Sequence, residues 1–536
     1  MSGTAGIWLI MSSAYVGAEL AAEFGKLPPA FLPVGTARLY EYHFARLGPR
    51  RPVYFTLPES FELPEEDRRR LVELGVTLLP LPDELRLGEA VVYAANSIGG
   101  PDQPLRILHG DTLIDDLPLD AVDTIALADN ADGYSWAEVE LSGDQVRALE
   151  TIPAGSERAA GRPVAAGYFA FASSAALVRA ITRARGDFIG GINRYAAERP
   201  VQAPRVESWF DFGHAQTYFR SRRAVTTARS FNTLRLDGRT ARKASADTTK
   251  MQAEAHWLRG VPPAIQLFAA RVLDAGEVDG QAFYETEYQY IPTLAELFVF
   301  GAVSRPVWRR ILDSCAEFLR LCARETGPGS GTAMLRQLAI GKTTTRLEDF
   351  AQTAGFDIDH PLSFAGRPFP SLSVIAATLA GILDRAADRP SVVMHGDFCF
   401  SNILFDSRTR RIKVIDPRGY IETGTPSLQG DQRYDLAKLA HSIIGRYDSI
   451  IAGRYAMSAN DGYRLSINFE ATPQQAWLER LFEERVVAAS GADRREVQAV
   501  AVSLFLSMLP LHADRPDRQR AFIANALRLF GQMEGA

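Results

Sequence analysis

Cysteine is scarce in this chain: three occur among 536 residues, Cys315, Cys322 and Cys399, and none falls in a CxxC pair. That pattern argues against a disulfide framework or a cysteine-ligated structural zinc, and it fits a reducing compartment, so a cytoplasmic location is expected. Long apolar runs are missing too. Val500 to Leu511 falls short of a bilayer span and contains Pro510. Ile7 to Met11 has no basic region before it and reads as a buried first strand rather than a signal peptide, so no membrane attachment is expected. Positive charge is not in excess: the formal net charge is −5, which argues against a nucleic-acid partner bound through phosphate neutralisation. No internal repeat is visible. What remains is an ordinary globular composition, 46% hydrophobic and 23% charged, on a chain too long for one core. Two or three domains are expected.

Up to about residue 225, short apolar runs alternate with helical patterns. Ile7-Met11, Val53-Phe55, Val76-Leu79, Ala90-Ala94 and Leu105-His109 form the series, with helices expected after Arg38 and from Pro64. Alternation of this kind predicts a parallel sheet covered by helices, with ligands beyond the carboxyl ends of its strands. Asp111 stands at such an end. The texture then changes to an arginine-rich stretch with an Asp237-Gly238 hairpin signal between expected strands Phe231-Leu236 and Thr240-Ser245. A helix from about Thr248 to Arg259 is expected to stop at Gly260-Val261-Pro262-Pro263. From Pro306 onward the apolar spacing is helical, interrupted by expected strands at Ser391-Met394 and Ile412-Ile415. The expected domains are 1–226 and 227–536, the second with an N-lobe to about 300 and a C-lobe beyond it.

The most specific feature is His395-Gly-Asp397, followed by Asn402 and then by Lys413-Val-Ile-Asp416-Pro. Phosphoryl transfer from ATP needs a carboxylate to position the attacking hydroxyl and oxygen ligands to hold magnesium on the phosphates. One loop and one hairpin supply both here. The segment resembles the aminoglycoside phosphotransferase and choline kinase family, with its HGD-x4-N motif and following ID, over roughly residues 229 to 536. The resemblance implies an α+β protein-kinase-like fold, with Asp397 as catalytic base, His395 bracing the loop, and Asn402 and Asp416 on Mg2+. Asp406 and His441 read as structural. Asp435 begins a helix and is expected to brace the loop through backbone hydrogen bonds. Lys243 and Glu254 have the spacing for an ion pair on the nucleotide phosphates, with Arg242 and Lys250 as competitors for the lysine role. The glycine-rich loop of the family is replaced by Ser230-Phe-Asn232-Thr-Leu, and Tyr284 to Leu297 resembles the hinge strand and the helix after it.

In the first half, Phe31-Leu-Pro33-Val-Gly35 with Glu41, Leu108-His-Gly-Asp111 and Trp209-Phe-Asp211-Phe-Gly213 resemble, in order, segments of sugar-nucleotide pyrophosphorylases. That likeness, over about residues 5 to 225, implies an α/β Rossmann-like (GT-A-like) nucleotidyltransferase fold with Asp111 and Asp211 on magnesium. It departs from the pattern in the loop Ser12 to Leu20, where only Gly17 survives of the glycines and Glu19 replaces an arginine. Lys26 is a candidate substitute on the nucleotide, and Gly167 lies in a strand resembling the sugar side.

A kinase makes a phosphate monoester and a nucleotidyltransferase consumes one. The two resemblances together imply a bifunctional transferase. It would use ATP and then a second NTP to activate a small hydroxylated metabolite, a sugar or an amino alcohol, as in fused enzymes of bacterial capsule pathways. Arg418, beside Asp416, points to an anionic or polyhydroxylated substrate. Alternatives are a choline-type kinase with a cytidylyltransferase, for which Trp257, Tyr284, Tyr288 and Tyr420 would supply aromatic contacts, and an active kinase beside a non-catalytic, nucleotide-sugar-sensing first domain. Self-association into a homo-oligomer is left open.

Overall fold

The computed structural model describes residues 6–49, 52–129, 134–156, 162–227, 233–422, 424–460 and 462–535. The chain divides into two compact units, Met1–Val225 and Thr226–Ala536.

The first unit is organised by the strand Ile7–Met11, buried along its whole length. An unbroken apolar run of this kind suits a strand covered on both faces. It pairs in parallel with Val53–Pro58 on one side and Leu105–His109 on the other, and Thr77–Leu81 extends the sheet beyond Val53–Pro58, again in parallel. Helices Leu39–Leu47, Glu65–Glu73 and Leu87–Ile98 lie between these strands in sequence. The Ala90-Ala94 run belongs to the last of these helices, where Ala90, Val91 and Ala94 are buried at helical spacing.

The expectation of a wholly parallel sheet is corrected on the other side. Val164–Phe171 runs antiparallel to Leu105–His109, and Trp136–Ser142 forms an antiparallel hairpin with Gln145–Ile152. Gly143-Asp144 joins those two strands directly, and a connection that short permits only antiparallel pairing. At the carboxyl end of Leu105–His109 the chain turns through Gly110-Asp111 into Thr112–Ile114, which pairs with Trp209–Asp211 so that Thr112 faces Asp211.

The second unit opens with a four-stranded antiparallel sheet, Thr233–Leu236, Thr240–Ser245, Gln281–Glu287 and Val272–Val278 in spatial order. Ser230, Phe231 and Asn232, the start of the segment expected in place of a glycine-rich loop, lie outside the described residues. Helix Thr248–Gly260 follows the second strand, its N-terminus capped by the Asp247 side chain on Lys250 N–H. The rest is mainly helical, with a small sheet of Leu362–Phe364, Arg367–Phe369, Ala456–Asn460 and Arg464–Asn468 that the helical spacing did not announce. Helix Arg494–Ser507 is buried at nearly every position from Val497 onward. The apolar stretch Val500 to Leu511 is therefore a core helix and the turn after it. Among the described residues no helix is long and apolar enough to cross a membrane.

Arg433, fully buried, ties these helices together. Its guanidinium reaches Asp431 Oδ1 at 2.9 Å, Glu496 Oε2 at 2.8 Å and Thr332 Oγ1 at 2.6 Å, linking helices Gln432–Ile443, Arg494–Ser507 and Gly331–Arg336. Truncation would strand Asp431, itself 2% exposed, without a counter-charge. Arg433→Ala is expected to destabilise the second unit by about 3–5 kcal/mol, measured as a drop in its denaturant midpoint, with Arg433→Lys intermediate.

Candidate active sites

In the second unit, strand Pro390–Val393 delivers the chain to a tight loop at His395-Gly396-Asp397. Gly396 has φ +76°, and a Cβ there would meet the Arg418 side chain at 2.6 Å, so the bend needs glycine. Asp435, in the first turn of helix Gln432–Ile443, accepts hydrogen bonds from His395 N–H and Gly396 N–H, both at 2.8 Å. Burial pushes the Asp435 carboxyl up to about 7, against the pull of those two bonds. The His395 ring supports the loop from behind, edge-on to Trp257 at 5.4 Å, and burial lowers its pKa to about 4, so it is neutral. It does not line the cleft.

The Asp397 carboxylate does. One oxygen lies 2.8 Å from Lys438 Nζ, and the other accepts from Asn402 Nδ2 at 2.7 Å. Burial opposes its charge, but Lys438, aided by His395 and Arg418, outweighs burial and holds the carboxyl well below the usual range. The Asn402 amide nitrogen is spent on Asp397, while its carbonyl oxygen, approached by the Ser401 hydroxyl at 3.5 Å, keeps a lone pair for another partner. Asp416, at the end of strand Arg411–Val414 and the turn after it, adopts φ +53°, a left-handed conformation unusual for a residue with a side chain.

Lys243 unites the remaining elements. Its Nζ lies 2.8 Å from Glu254 Oε2 and 3.1 Å from Asp416 Oδ1, and the Tyr284 hydroxyl lies 2.8 Å and 3.0 Å from the same two carboxylates. Burial works against the lysine charge, yet Asp416 and Glu254 overcome it and raise its pKa. The competitors are accounted for: Arg242 stacks on the Phe283 ring and Lys250 reaches only the outer Glu254 oxygen, at 4.0 Å. Helix Thr248–Gly260 is fastened to the catalytic segment at two points. Trp257 Nε1–H donates to Met394 O at 2.8 Å, and Gly419 packs against the Ala253 carbonyl so closely that a Cβ would sit 2.2 Å from it.

Lys243, Glu254, Asp397, Asn402, Asp416 and Lys438 line one cavity of about 540 Å³ together with Arg418, Tyr420, Lys342 and Arg346, a volume suited to small molecules. Among the described residues no three His, Cys, Asp or Glu side chains cluster as a self-sufficient metal cage. An Asp carboxylate with an Asn carbonyl instead suits magnesium, which retains water and takes nucleotide phosphates as ligands. Asp406 only caps its own hairpin turn, accepting from Arg408 N–H and the Thr409 hydroxyl. His441 borders the cavity but packs between the Tyr447 and Phe505 rings, and burial lowers its pKa further. Of the aromatic candidates, Trp257 is fully buried, Tyr288 packs on Tyr290, and Tyr420 lies under the Arg418 guanidinium.

Sequence reasoning passed over Lys438, Lys342 and Arg346. Lys438 stands three residues after Asp435, on the same helical face, and that spacing was the available signal. Nothing local marks the other two.

In the first unit, Asp111 and Asp211 meet at the corner made by the two short strands, and Phe212 N–H donates to Asp111 O at 2.8 Å. Gly213 passes so close that a Cβ would lie 2.7 Å from Asp111 Oδ2. Burial, and then the Asp211 charge, push the Asp111 carboxyl up to about 6. Asp211 also accepts from the Thr217 hydroxyl and lies 3.1 Å from His214 Nδ1, which raises the imidazole's pKa. Both carboxylates border a cleft of about 440 Å³ that includes Gly167, Arg86, Trp136 and Phe188. Gly167 has φ +84° and abuts Thr112, where a Cβ would meet Oγ1 at 2.6 Å, so backbone geometry and close packing account for it. Gly17 and Lys26 are not part of that lining. Gly17 precedes helix Ala18–Phe24 in open space, and the exposed Lys26 lies over the Tyr15 ring at 3.9 Å. Glu19, in place of the family's arginine, adds its negative field at His214.

Residues 214–465 match the family model described as the phosphotransferase enzyme family, APH. No curated protein matches the chain in sequence. Among solved structures, a thermostable mutant of aminoglycoside phosphotransferase APH(4)-Ia is similar at 14% identity and TM-score 0.35, over 56% of this chain and 90% of that one. A UTP-bound UGPase from Acinetobacter baumannii is similar at 15% identity and TM-score 0.32, over 42% of this chain and 95% of that one. HddC from Yersinia pseudotuberculosis is similar at 13% identity and TM-score 0.31, over 41% of this chain and 100% of that one. By the family match, the C-terminal region of this chain carries a kinase-like phosphotransferase domain of the APH type.

Proposed function

We propose that the second unit transfers the γ-phosphoryl group of ATP to a hydroxyl of a small metabolite, and that the first unit then joins the resulting phosphate to a nucleotidyl group from a second NTP. The observation that carries the kinase reading is the composition of a single cavity. In it an ionised Asp397, flanked by Asn402, shares the space with the Lys243, Glu254 and Asp416 cluster.

In this reading Lys243, fixed by Glu254, engages the nucleotide phosphates. Asn402 and Asp416 hold Mg2+, which when bound would offset charge on the phosphates. The acceptor hydroxyl donates to Asp397, its oxygen bonds to the γ-phosphorus as the bond to ADP breaks, and its proton passes to that carboxylate. A carboxylate kept so acidic by Lys438 aligns the hydroxyl more than it deprotonates it early, which suits a loose phosphoryl transition state. His395 and Asp435 set the loop, and Arg418 faces the acceptor.

In the first unit Asp111 and Asp211 are the metal-holding pair. An oxygen of the phosphate monoester bonds to the α-phosphorus, and pyrophosphate leaves. Gly167 is assigned to the wall of the sugar side. The product is an NDP-activated precursor, with surface polysaccharide as its destination and the cytoplasm as its place of synthesis. A choline-type acceptor is disfavoured because Lys342, Arg346 and Arg418 line the kinase cavity, where a quaternary ammonium would meet like charge. One observation favours a second reading for the first unit. Glu19 brings negative charge where a pyrophosphorylase has arginine, which suits a nucleotide-sugar sensor without turnover.

Asp397→Asn should lower ADP release in an ATP-dependent phosphorylation screen by about 10²–10⁴-fold in a protein that still folds, with a lower unfolding midpoint because Lys438 loses its counter-charge. An unchanged rate would sink the kinase assignment. Asp111→Asn should leave ADP release intact and abolish pyrophosphate release from supplied sugar phosphates with CTP, UTP, GTP or dTTP. If the unaltered protein binds these nucleotides and releases no pyrophosphate with any pair, the sensor reading replaces the second transferase step.

A further inference from the structure

The cations of the kinase cavity fall into two groups. Lys243, Lys250 and Lys438 face carboxylates, the first Glu254 and Asp416, the second Glu254 and the third Asp397. Lys342, Arg346 and Arg418 line the same cavity and form no ion pair among the described residues. Lys342 and Arg346 are spaced i, i+4 on helix Lys342–Ala354, so two basic groups share one helical face, where charging both costs energy when nothing neutralises them. Arg346 is held in place by a single bond, Nη1–H to Ser507 O at 2.8 Å. The Arg418 guanidinium rests on Tyr420, and its Nε is buried without a hydrogen-bond partner, a donor left unmet at a cost comparable to a lost hydrogen bond.

We propose that the acceptor of the kinase reaction carries an anionic group of its own, a carboxylate or a phosphate, seated on Lys342, Arg346 and Arg418; this rests on the kinase reading of the cavity. The group belongs to the acceptor side. Lys342 and Arg346 come from the helical half of the unit, and Arg418 packs against Gly396 of the Asp397 loop. The nucleotide side is built from the small sheet and the helix that carries Glu254. The charges acting on Lys342 are those of Arg418, Arg346, Lys438 and Asp397, which place it beside the group that meets the acceptor hydroxyl. Burial, followed by its cationic neighbours, lowers the Lys342 pKa to about 6, in keeping with a site short of negative charge until an anion arrives. Guanidinium groups recognise planar carboxylates and phosphates through paired donors. A cationic aminoglycoside or choline would meet repulsion here.

The test uses the full-length protein with magnesium and the non-hydrolysable analogue AMPPNP, titrated calorimetrically with matched pairs: glucitol against gluconate, glucose against glucuronate, and glucose against glucose 6-phosphate. Glucosamine serves as the cationic control. At least one acid is expected to bind about tenfold or more tightly than its neutral partner, as charge-assisted bonds warrant. The carboxylate and phosphate pairs show which anion the site takes. Lys342→Met and Arg346→Gln, made separately, should each shrink that preference while still binding AMPPNP. Equal binding within every pair, absence of binding included, overturns the proposal, as does a preference for glucosamine. Variants that lose AMPPNP and keep the acid preference overturn it too, by assigning the cations to the nucleotide. A bound acid that yields no ADP when ATP replaces AMPPNP, at unchanged preference, would count against the kinase reading and leave the anion site standing.

Discussion

A buried lysine on a sheet strand organises the catalytic half of this protein. Lys243 is surrounded by Glu254 from a helix, Asp416 from the turn after a hairpin, and the Tyr284 hydroxyl from the neighbouring strand. Taking such charges out of water is costly, and a buried ion pair contributes only when its geometry is complete. Completeness here requires the sheet, the helix and the catalytic segment to be in register at once. Each element of the cleft is positioned by that requirement, including the left-handed backbone of Asp416, a strain of the kind that persists where surrounding contacts over-determine it.

A parallel logic with opposite sign operates in the first unit. Among the described residues Asp111 and Asp211 converge with no lysine or arginine paired to either, and burial, followed by the Asp211 charge, raises the Asp111 carboxyl to about 6. Two carboxylates held this close favour a cation between them. His214 supplies part of that charge, through Asp211. The first site is thus poised to gain positive charge from a ligand, and the acceptor side of the second to gain negative charge.

Legibility in the sequence followed chain distance. His395, Asp397, Asn402 and Asp416 fall within one loop and one hairpin, so local spacing was enough to bring them together. Lys243 and Glu254 are separated by a turn and a helix start, which spacing also reached. Lys342 and Arg346 were not readable, because a pair at i, i+4 on a helix looks like solvent-facing charge until packing against Ser507 turns the helix inward. The strands of the first unit were visible as apolar runs wherever helices separated them. The antiparallel portion does not show as apolar runs, because Trp136–Ser142, paired on both sides, and the edge strand Gln145–Ile152 alternate in polarity around a two-residue connection. Gly17 and Lys26 show the opposite limit: a match in sequence position places a residue near a strand end without aiming it at the cleft.

The anchoring of Trp257 to the Met394 carbonyl has a mechanical consequence. The helix carrying Glu254 interrupts the four-stranded sheet in sequence, between its second strand and the last two, but its indole and its Ala253 carbonyl are pinned to the segment that bears the catalytic loop. It therefore behaves as part of the base of the cleft rather than its roof. Any widening of the cavity would therefore fall on the strand that carries Lys243, with Glu254 as its fixed mooring.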